Sequence, residues 1–290
     1  MTPALTFVTT CKGRLQYLRQ TLPLLAAHPS VQCIVVDVEC PDHSGDWVEE
    51  ALPLVTVVRS RDDGPFNVGR ARNAGVAAAR TESVCLIDAD VCIAADFVPA
   101  IIAQFDRRQF LLPEPLSGDL SGTVVCSRTA FEFAEGYDEE CAGWGGEDLD
   151  LYDRFEFHGL TRASFPARML RALPHSDSER TVYRAFSDKS LSNSINLLYS
   201  QIKLDLMRLS ASRLPAAYRG QLYAQVLAGC EASDRAGAAQ LIEVPFSDGL
   251  INCCEIQTSL RYRIDVTRRD GRRGTEFAVS ATTPNPAADN

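Results

Sequence analysis

The stretch Val84-Cys85-Leu86-Ile87-Asp88-Ala89-Asp90 decides the fold. Its four consecutive apolar residues predict a short strand buried on both faces, the pattern of a parallel sheet. Two carboxylates follow at once, separated by a small residue. Side chains alternate along an extended chain, so Asp88 and Asp90 share one side of it. Open α/β sheets bind ligands at the carboxyl ends of their strands, and a pair of acids there suits a hard divalent cation and the phosphate oxygens it carries. A D-x-D triplet alone is most often a turn or a solvated strand end, so the preceding strand carries the reading.

Towards the N-terminus, Leu5-Thr6-Phe7-Val8-Thr9-Thr10 reads as a first strand. Lys12-Gly13-Arg14 follows, and then a helix with apolar positions at Leu15, Leu18, Leu22 and Leu25. Cys33-Ile34-Val35-Val36-Asp37 reads as a second strand ending in an acid, and Leu54-Val55-Thr56-Val57-Val58 as a third. Strands alternating with helices imply a mostly parallel sheet with helices on both faces. Thr10, Lys12, Arg14 and Asp37 are candidates to contact a nucleotide-bearing ligand at these strand ends. Phe66 to Gly75 opens an Ala-rich helix running to Arg80. There Arg70 or Arg72 offers a charged fork for a diphosphate, although a solvated arginine on a helix face is the commoner case.

Towards the C-terminus, the densest chemistry is Gly143-Trp144-Gly145-Gly146-Glu147-Asp148-Leu149-Asp150-Leu151-Tyr152. Adjacent glycines admit backbone conformations closed to other residues and let a ligand approach the main chain. Trp144 presents a flat apolar face of the kind that packs on the CH-rich face of a sugar ring. Glu147, Asp148 and Asp150 fall in the first turn of a helix that continues through Leu151, Phe155 and Phe157 to a stop at Gly159. Acids belong at a helix N-terminus on dipole grounds alone. That accounts for Asp150, and poorly for the glycines, the tryptophan and the clustered acids together. The run is therefore an acid/base candidate.

With these residues in view, the chain resembles a GT-A glycosyltransferase. It is similar to the family 2 type through Asn73 and Asp88-Ala89-Asp90. From Phe131 onward it is similar to the domain shared by β-1,4-galactosyltransferases and chondroitin-polymerase-type enzymes. The resemblance covers roughly residues 1 to 200 and implies a Rossmann-like, mostly parallel sheet flanked by helices; the residues after it read by their own periodicity as a helical and β-hairpin extension. It implies Asp148 as catalytic base, with Glu147 beside it as acceptor contact or substitute, and Trp144, Gly145 and Gly146 lining the substrate. It also implies Asp90 as ligand of Mn²⁺ or Mg²⁺ and Asp88 as a contact of the nucleotide sugar. Leu173-Pro174-His175-Ser176-Asp177 matches where such enzymes place a downstream metal-ligating histidine. On bare sequence a histidine after proline is more often a surface residue. The galactosyltransferases carry a methionine three residues before that histidine, and here Ala172 stands there, so either the metal keeps an extra water or its coordination differs.

The chemistry this implies is transfer of a hexose or N-acetylhexosamine from a nucleotide sugar, most simply UDP-linked, to an acceptor hydroxyl. A divalent cation stabilises the charge that develops on the leaving diphosphate, with Lys12, Arg14 and Arg72 as candidates to assist. A carboxylate takes the proton of the attacking hydroxyl, and one displacement inverts the anomeric centre. A retaining transferase on the same fold and a catalytically silent sugar-nucleotide or glycan-binding module are the alternatives. A nucleotidyltransferase needs a longer glycine-rich phosphate loop than Lys12-Gly13-Arg14.

Composition bounds the rest. The 290 residues, 46% hydrophobic, can bury one large core with a smaller appendage. A net charge of −9 argues against nucleic acid or an anionic membrane as main partner. No run of about twenty apolar residues occurs, and no signal peptide is evident, so the expected location is the cytoplasm. Ten cysteines without a C-x-x-C pair read as free thiols in a reducing compartment. Residues 1–189 are expected to form the catalytic domain and residues 190–281 the extension. In the latter, Ser190 to Leu209 and Tyr218 to Leu227 read as helices, and Leu260 to Val266 and Thr275 to Ser280 as a hairpin about Asp270-Gly271. Residues 282–290 read as a disordered tail.

Overall fold

The computed structural model describes residues 3–61, 64–176, 179, 181–245, 259–268 and 275–282. They form two compact units, one of Met1–Glu139 with Asp148–Ala185 and one of Glu140–Glu147 with Phe186–Asn290.

The first unit is built on β1 (Leu5–Cys11), α1 (Leu15–Ala26), β2 (Val31–Val38), α2 (Ser44–Ala51), β3 (Thr56–Ser60), α3 (Val68–Ala77) and β4 (Ser83–Leu86). It continues with β5 (Val91–Ile93), α4 (Phe97–Gln104), β6 (Gln109–Glu114), β7 (Val124–Ser127), α5 (Arg128–Phe133), α6 (Glu147–Phe157), β8 (Thr161–Pro166) and β9 (Leu170–Ala172). Seven strands make one sheet in the order β3-β2-β1-β4-β7-β6-β8. The pairs β1–β2, β1–β4, β2–β3 and β6–β8 are parallel, and β7 runs antiparallel to β4 and β6. The apolar runs arise because both faces of the sheet are covered. Phe7, Val35, Cys85 and Ile87 pack with Leu18 and Leu22 of α1 and Phe97 and Ile101 of α4. Their sequence neighbours Val8, Ile34, Val36, Val84 and Leu86 pack on the other face with Ala71 and Val76 of α3 and Phe155 of α6. A period of two with both phases apolar is what two covered faces require.

Two local differences stand out. The third strand begins at Thr56 rather than Leu54, because Val55 N–H donates to Leu52 O in a turn that leaves Leu54 97% exposed. Strands β6, β7 and β8 go beyond the strands expected from the sequence, although Phe110-Leu111-Leu112 and Val124-Val125-Cys126 are short apolar runs of the same kind. They complete the sheet through long-range pairing.

In the second unit α7 (Lys189–Ser210) and α8 (Ala216–Ala236) accompany β10 (Gln240–Pro245), β11 (Ser259–Arg268) and β12 (Thr275–Thr282). The strands form an antiparallel sheet in that order. Asp188 caps α7, its carboxylate accepting from Ser190 and Leu191 N–H, and the stripe Ile195, Leu198, Ile202 and Leu206 is buried. Tyr199 of α7 meets Tyr223 of α8 edge-on at 5.2 Å. The expected hairpin is present as β11 and β12, while its Asp270-Gly271 turn, Cys253-Cys254 and residues 283–290 lie outside the described residues. Eight described cysteines are buried. Among the described residues no helix is long and apolar enough to cross a membrane.

Candidate active site

Asp88 and Asp90 follow β4 directly and project from the carboxyl end of the sheet. What surrounds Asp90 is set by a small antiparallel pair, β5 with β9, in which Val91 faces Ala172 and Ile93 faces Leu170. Leu173 N–H extends it by donating to Asp90 O at 2.8 Å. This pairing delivers His175 to Asp90, whose Oδ2 contacts His175 Nε2 and lies 3.2 Å from Arg14 Nη1. Burial, and next the charge of Asp88, push the Asp90 carboxyl up, while Arg14 and His175 pull it down. Tyr17 packs edge-on to His175 at 5.8 Å, and its hydroxyl donates to Glu179 Oε2 at 2.8 Å. Arg14 Nη2 reaches Glu179 O at 3.1 Å. The Tyr17 hydroxyl first, and then Ser176, hold Glu179 down at about 2.

Among the described residues no three His, Cys, Asp or Glu side chains converge as a complete cation cage. Asp90 and His175 offer one carboxylate oxygen and one imidazole nitrogen, and His175 Nδ1 is buried without a hydrogen-bond partner among the described residues. That donor set fits Mn²⁺ or Mg²⁺ whose other positions go to diphosphate oxygens and water, the usual habit of such ions at phosphate sites.

Asp148, in the first turn of α6, has a different environment. Arg72 Nη1 donates to Asp148 Oδ1 at 2.5 Å, Arg72 Nη2 to Asp88 Oδ1 at 2.7 Å, and Arg72 Nη1 to the Tyr137 hydroxyl at 2.8 Å. The Tyr137 hydroxyl donates in turn to Asp148 Oδ1 at 2.9 Å. Burial pushes the Tyr137 phenol well up, so it is a standing donor. Asn73 positions this tyrosine by accepting from Tyr137 N–H at 2.8 Å and donating to Tyr137 O at 3.0 Å. The Arg72 side chain is 3% exposed. It lies on the inward stripe of α3 with Val68, Ala71, Gly75 and Val76, whereas Arg70 points outward to Glu139 at 3.2 Å. The same helical period that marks the apolar face therefore separates the two arginines.

Of the remaining nucleotide-side candidates, Thr10, Lys12 and Arg14 occupy the end of β1 and the turn after it. Lys12 Nζ lies 5.9 Å from the Tyr183 ring centroid. Asp37 faces inward, with Oδ1 accepting from Cys40 N–H at 2.8 Å and Oδ2 from Gly45 N–H at 2.5 Å and the Ser44 hydroxyl at 3.3 Å. Its two oxygens hold the turn into α2.

Within the second unit, Trp144 N–H donates to Ser192 Oγ at 2.8 Å, and Asn196 Nδ2 donates to Ala142 O and Gly145 O at 2.9 and 2.6 Å. Lys189 Nζ stands 4.0 Å from the Trp144 ring centroid. Gly145 and Gly146 have φ of +90° and +84°, and added Cβ atoms would meet Asn193 Oδ1 at 2.4 Å and Asn196 Cβ at 2.7 Å. On the side where a Cβ would stand, α7 packs against the two glycines. Glu147 is 8% exposed, and its Oε2 has no hydrogen-bond partner among the described residues. Sequence reasoning missed Tyr17, Tyr137 and Glu179. The one local signal for Tyr137 is the turn at Glu135-Gly136 before it, both residues at positive φ.

The mixed seven-stranded sheet with helices on both faces is a GT-A-like α/β fold. Residues 6–118 match the model of glycosyl transferase family 2, and residues 106–176 match the model described as the N-terminal domain of galactosyltransferase. By these matches the chain is a glycosyltransferase. No curated protein matches the chain. Among solved structures, residues 1–349 of S. aureus TarS are similar at TM-score 0.50 and 15% identity, over 81% of this chain and 92% of that one. The longer TarS chain is spanned for 44% of its length. Mannosyltransferase PcManGT from Pyrobaculum calidifontis is similar at TM-score 0.52 and 14% identity, over 82% and 77%. The Drosophila β1,4-galactosyltransferase 7 catalytic domain has TM-score 0.47 and 15% identity, over 66% and 79%.

Proposed function

We propose that this glycosyltransferase moves a hexose or N-acetylhexosamine from a nucleotide sugar, UDP-linked by preference, to an acceptor hydroxyl with inversion and with a divalent cation. The observation that carries the reading is that Asp88 and Asp148 sit on one guanidinium, so the acid expected beside the donor and the acid expected to act as base share one site. In this reading Asp90 and His175 hold Mn²⁺ or Mg²⁺, which when bound offsets the charge of the departing diphosphate. Asp88 orients the donor sugar, and Arg14, held at Asp90, adds positive charge nearby. The bond from the anomeric carbon to the diphosphate oxygen breaks as the acceptor oxygen bonds to the opposite face of that carbon. Asp148 takes the hydroxyl proton. Support for the donor class comes from the solved neighbours, TarS having been crystallised with UDP and PcManGT with GDP-Man and Mn²⁺.

A panel of nucleotide sugars tests this, with nucleotide release measured with and without Mn²⁺ and the product's anomeric proton read by NMR. Metal-dependent release with an inverted anomer is the expected result. A retained anomer removes Asp148 as base. Binding of a nucleotide sugar without release from any donor makes the protein a binding module.

A further inference from the structure

Arg72 is more than the counter-ion of one carboxylate. The desolvation of a buried cation is offset by a paired acid together with further hydrogen bonds, and on α6 of the same unit Arg154, 3% exposed, pairs with Asp150, 2% exposed and one turn away on its own helix, and donates to Ala134 O. Arg72 instead spreads its two terminal nitrogens over acids from separate elements. One is Asp88, 39% exposed after β4, and the other Asp148, 15% exposed on α6. The protein also keeps room for this arrangement. Gly122, in the loop before β7, passes so close that an added Cβ would lie 2.5 Å from Arg72 Nη2 and 2.8 Å from Asp88 Oδ2. Tyr152, on α6 one turn beyond Asp148, ties the same loop by donating its hydroxyl to Ser121 O at 2.5 Å.

We propose that Arg72 is a positioning residue that holds the donor-side acid Asp88 and the base Asp148 at a set separation, and that Gly122 is the residue whose missing side chain makes this coupling possible. The proposal rests on the reading of Asp148 as the base. Two carboxylates this close repel each other, and one planar fork with fixed spacing neutralises both while fixing the plane of each. An ammonium on a flexible stem is a point charge and serves one of them. The consequence falls on the geometry of the attacking hydroxyl relative to the donor's anomeric carbon, where a displacement of about 1 Å costs on the order of 100-fold in rate.

The test measures initial rates of the full chain, with the donor's own hydrolysis to free sugar as the reaction where no acceptor is in hand. Arg72→Lys is expected to lower kcat roughly 100-fold with donor KM changed less than about threefold, the split that marks an effect on the reacting geometry rather than on binding. Gly122→Ala displaces only the ends of two flexible side chains, so the fold persists, and kcat is expected to fall about tenfold. Guanidinium ion added to Arg72→Ala is expected to restore part of the lost rate and to do nothing for Asp148→Asn. The coupling is overturned if Arg72→Lys keeps kcat within about threefold of wild type, or if its whole loss lies in donor KM. Should Arg72→Lys unfold, Gly122→Ala decides, and a wild-type kcat there overturns the proposal. An Asp148→Asn protein with undiminished turnover overturns the base assignment itself, whereas an inactive Asp148→Asn beside a fully active Arg72→Lys overturns the coupling alone.

Discussion

The end of β4 and the Gly143–Glu147 run are the two densest stretches of chemistry in the sequence, and they are held in opposite ways. Around Asp88 and Asp90 the partners are two guanidinium groups, of Arg14 and Arg72, and the imidazole of His175, each brought from a different part of the chain. Around Gly143–Glu147 the partners are short polar side chains of α7, Ser192 and Asn196, and they bind the main chain. The first region stores electrostatic interactions that respond to a cation or an anionic ligand. The second stores hydrogen bonds that fix a loop's path. A glycine-rich run beside acids therefore does not by itself mean an approach route for ligand; here the missing side chains admit a helix.

The contrast can be broken at several points. The largest effect is expected from Asp148→Asn, which keeps the shape of the side chain and removes its proton affinity. Transfer should fall about 1,000-fold, within the usual range for a general base, while donor affinity measured by calorimetry stays near wild type. Next comes Asp90→Ala, which should abolish the gain in donor affinity that Mn²⁺ provides, a loss of roughly 10- to 100-fold of the kind seen when metal sites are damaged. Unchanged affinity under chelation in the wild-type protein would show that the electrostatic region does not work through a cation. Gly146→Ala should cost about 2–4 kcal/mol in denaturant unfolding, because φ is +84° and the new Cβ would strike Asn196 and the α7 backbone. If that variant is as stable as wild type yet fails to bind acceptor, the glycine belongs to the ligand after all. The smallest effect is expected from Asn196→Ala, about 1–3 kcal/mol from carbonyls left without their donor, with kcat within about threefold of wild type.

Much of the first unit was legible because its signals are local. Continuous apolar runs such as Val84 to Ile87 need two covered faces, and the alternation of Val35 and Ile34 between the two cores follows from the pleat alone. Helix α6 was readable from its acids, its apolar spacing and the stop at Gly159, whose φ is +85°. The inward turn of Arg72 and the outward turn of Arg70 were also present in the spacing of α3, although an arginine on an apolar stripe is easily passed over. Less was visible where partners are distant. Nothing near Tyr137 announces that its hydroxyl will bridge Arg72 and Asp148, and nothing near Asp37 announces that its oxygens will be spent on the turn into α2.

From the order of residues alone came the sheet-and-helix layers, the carboxylates at the strand's end and the start of α6, because periodicity and chain direction act over a few residues and need no knowledge of what lies across the sheet. Only the folded chain decided which side chain each acid would meet. The pairing of β5 with β9 sets His175 against Asp90, and the register of α3 beside β4 and α6 sets one guanidinium against two acids. Coulombic contacts are made through space over a few ångströms, and residues far apart in the chain reach that distance only after the strands have paired and the helices have packed.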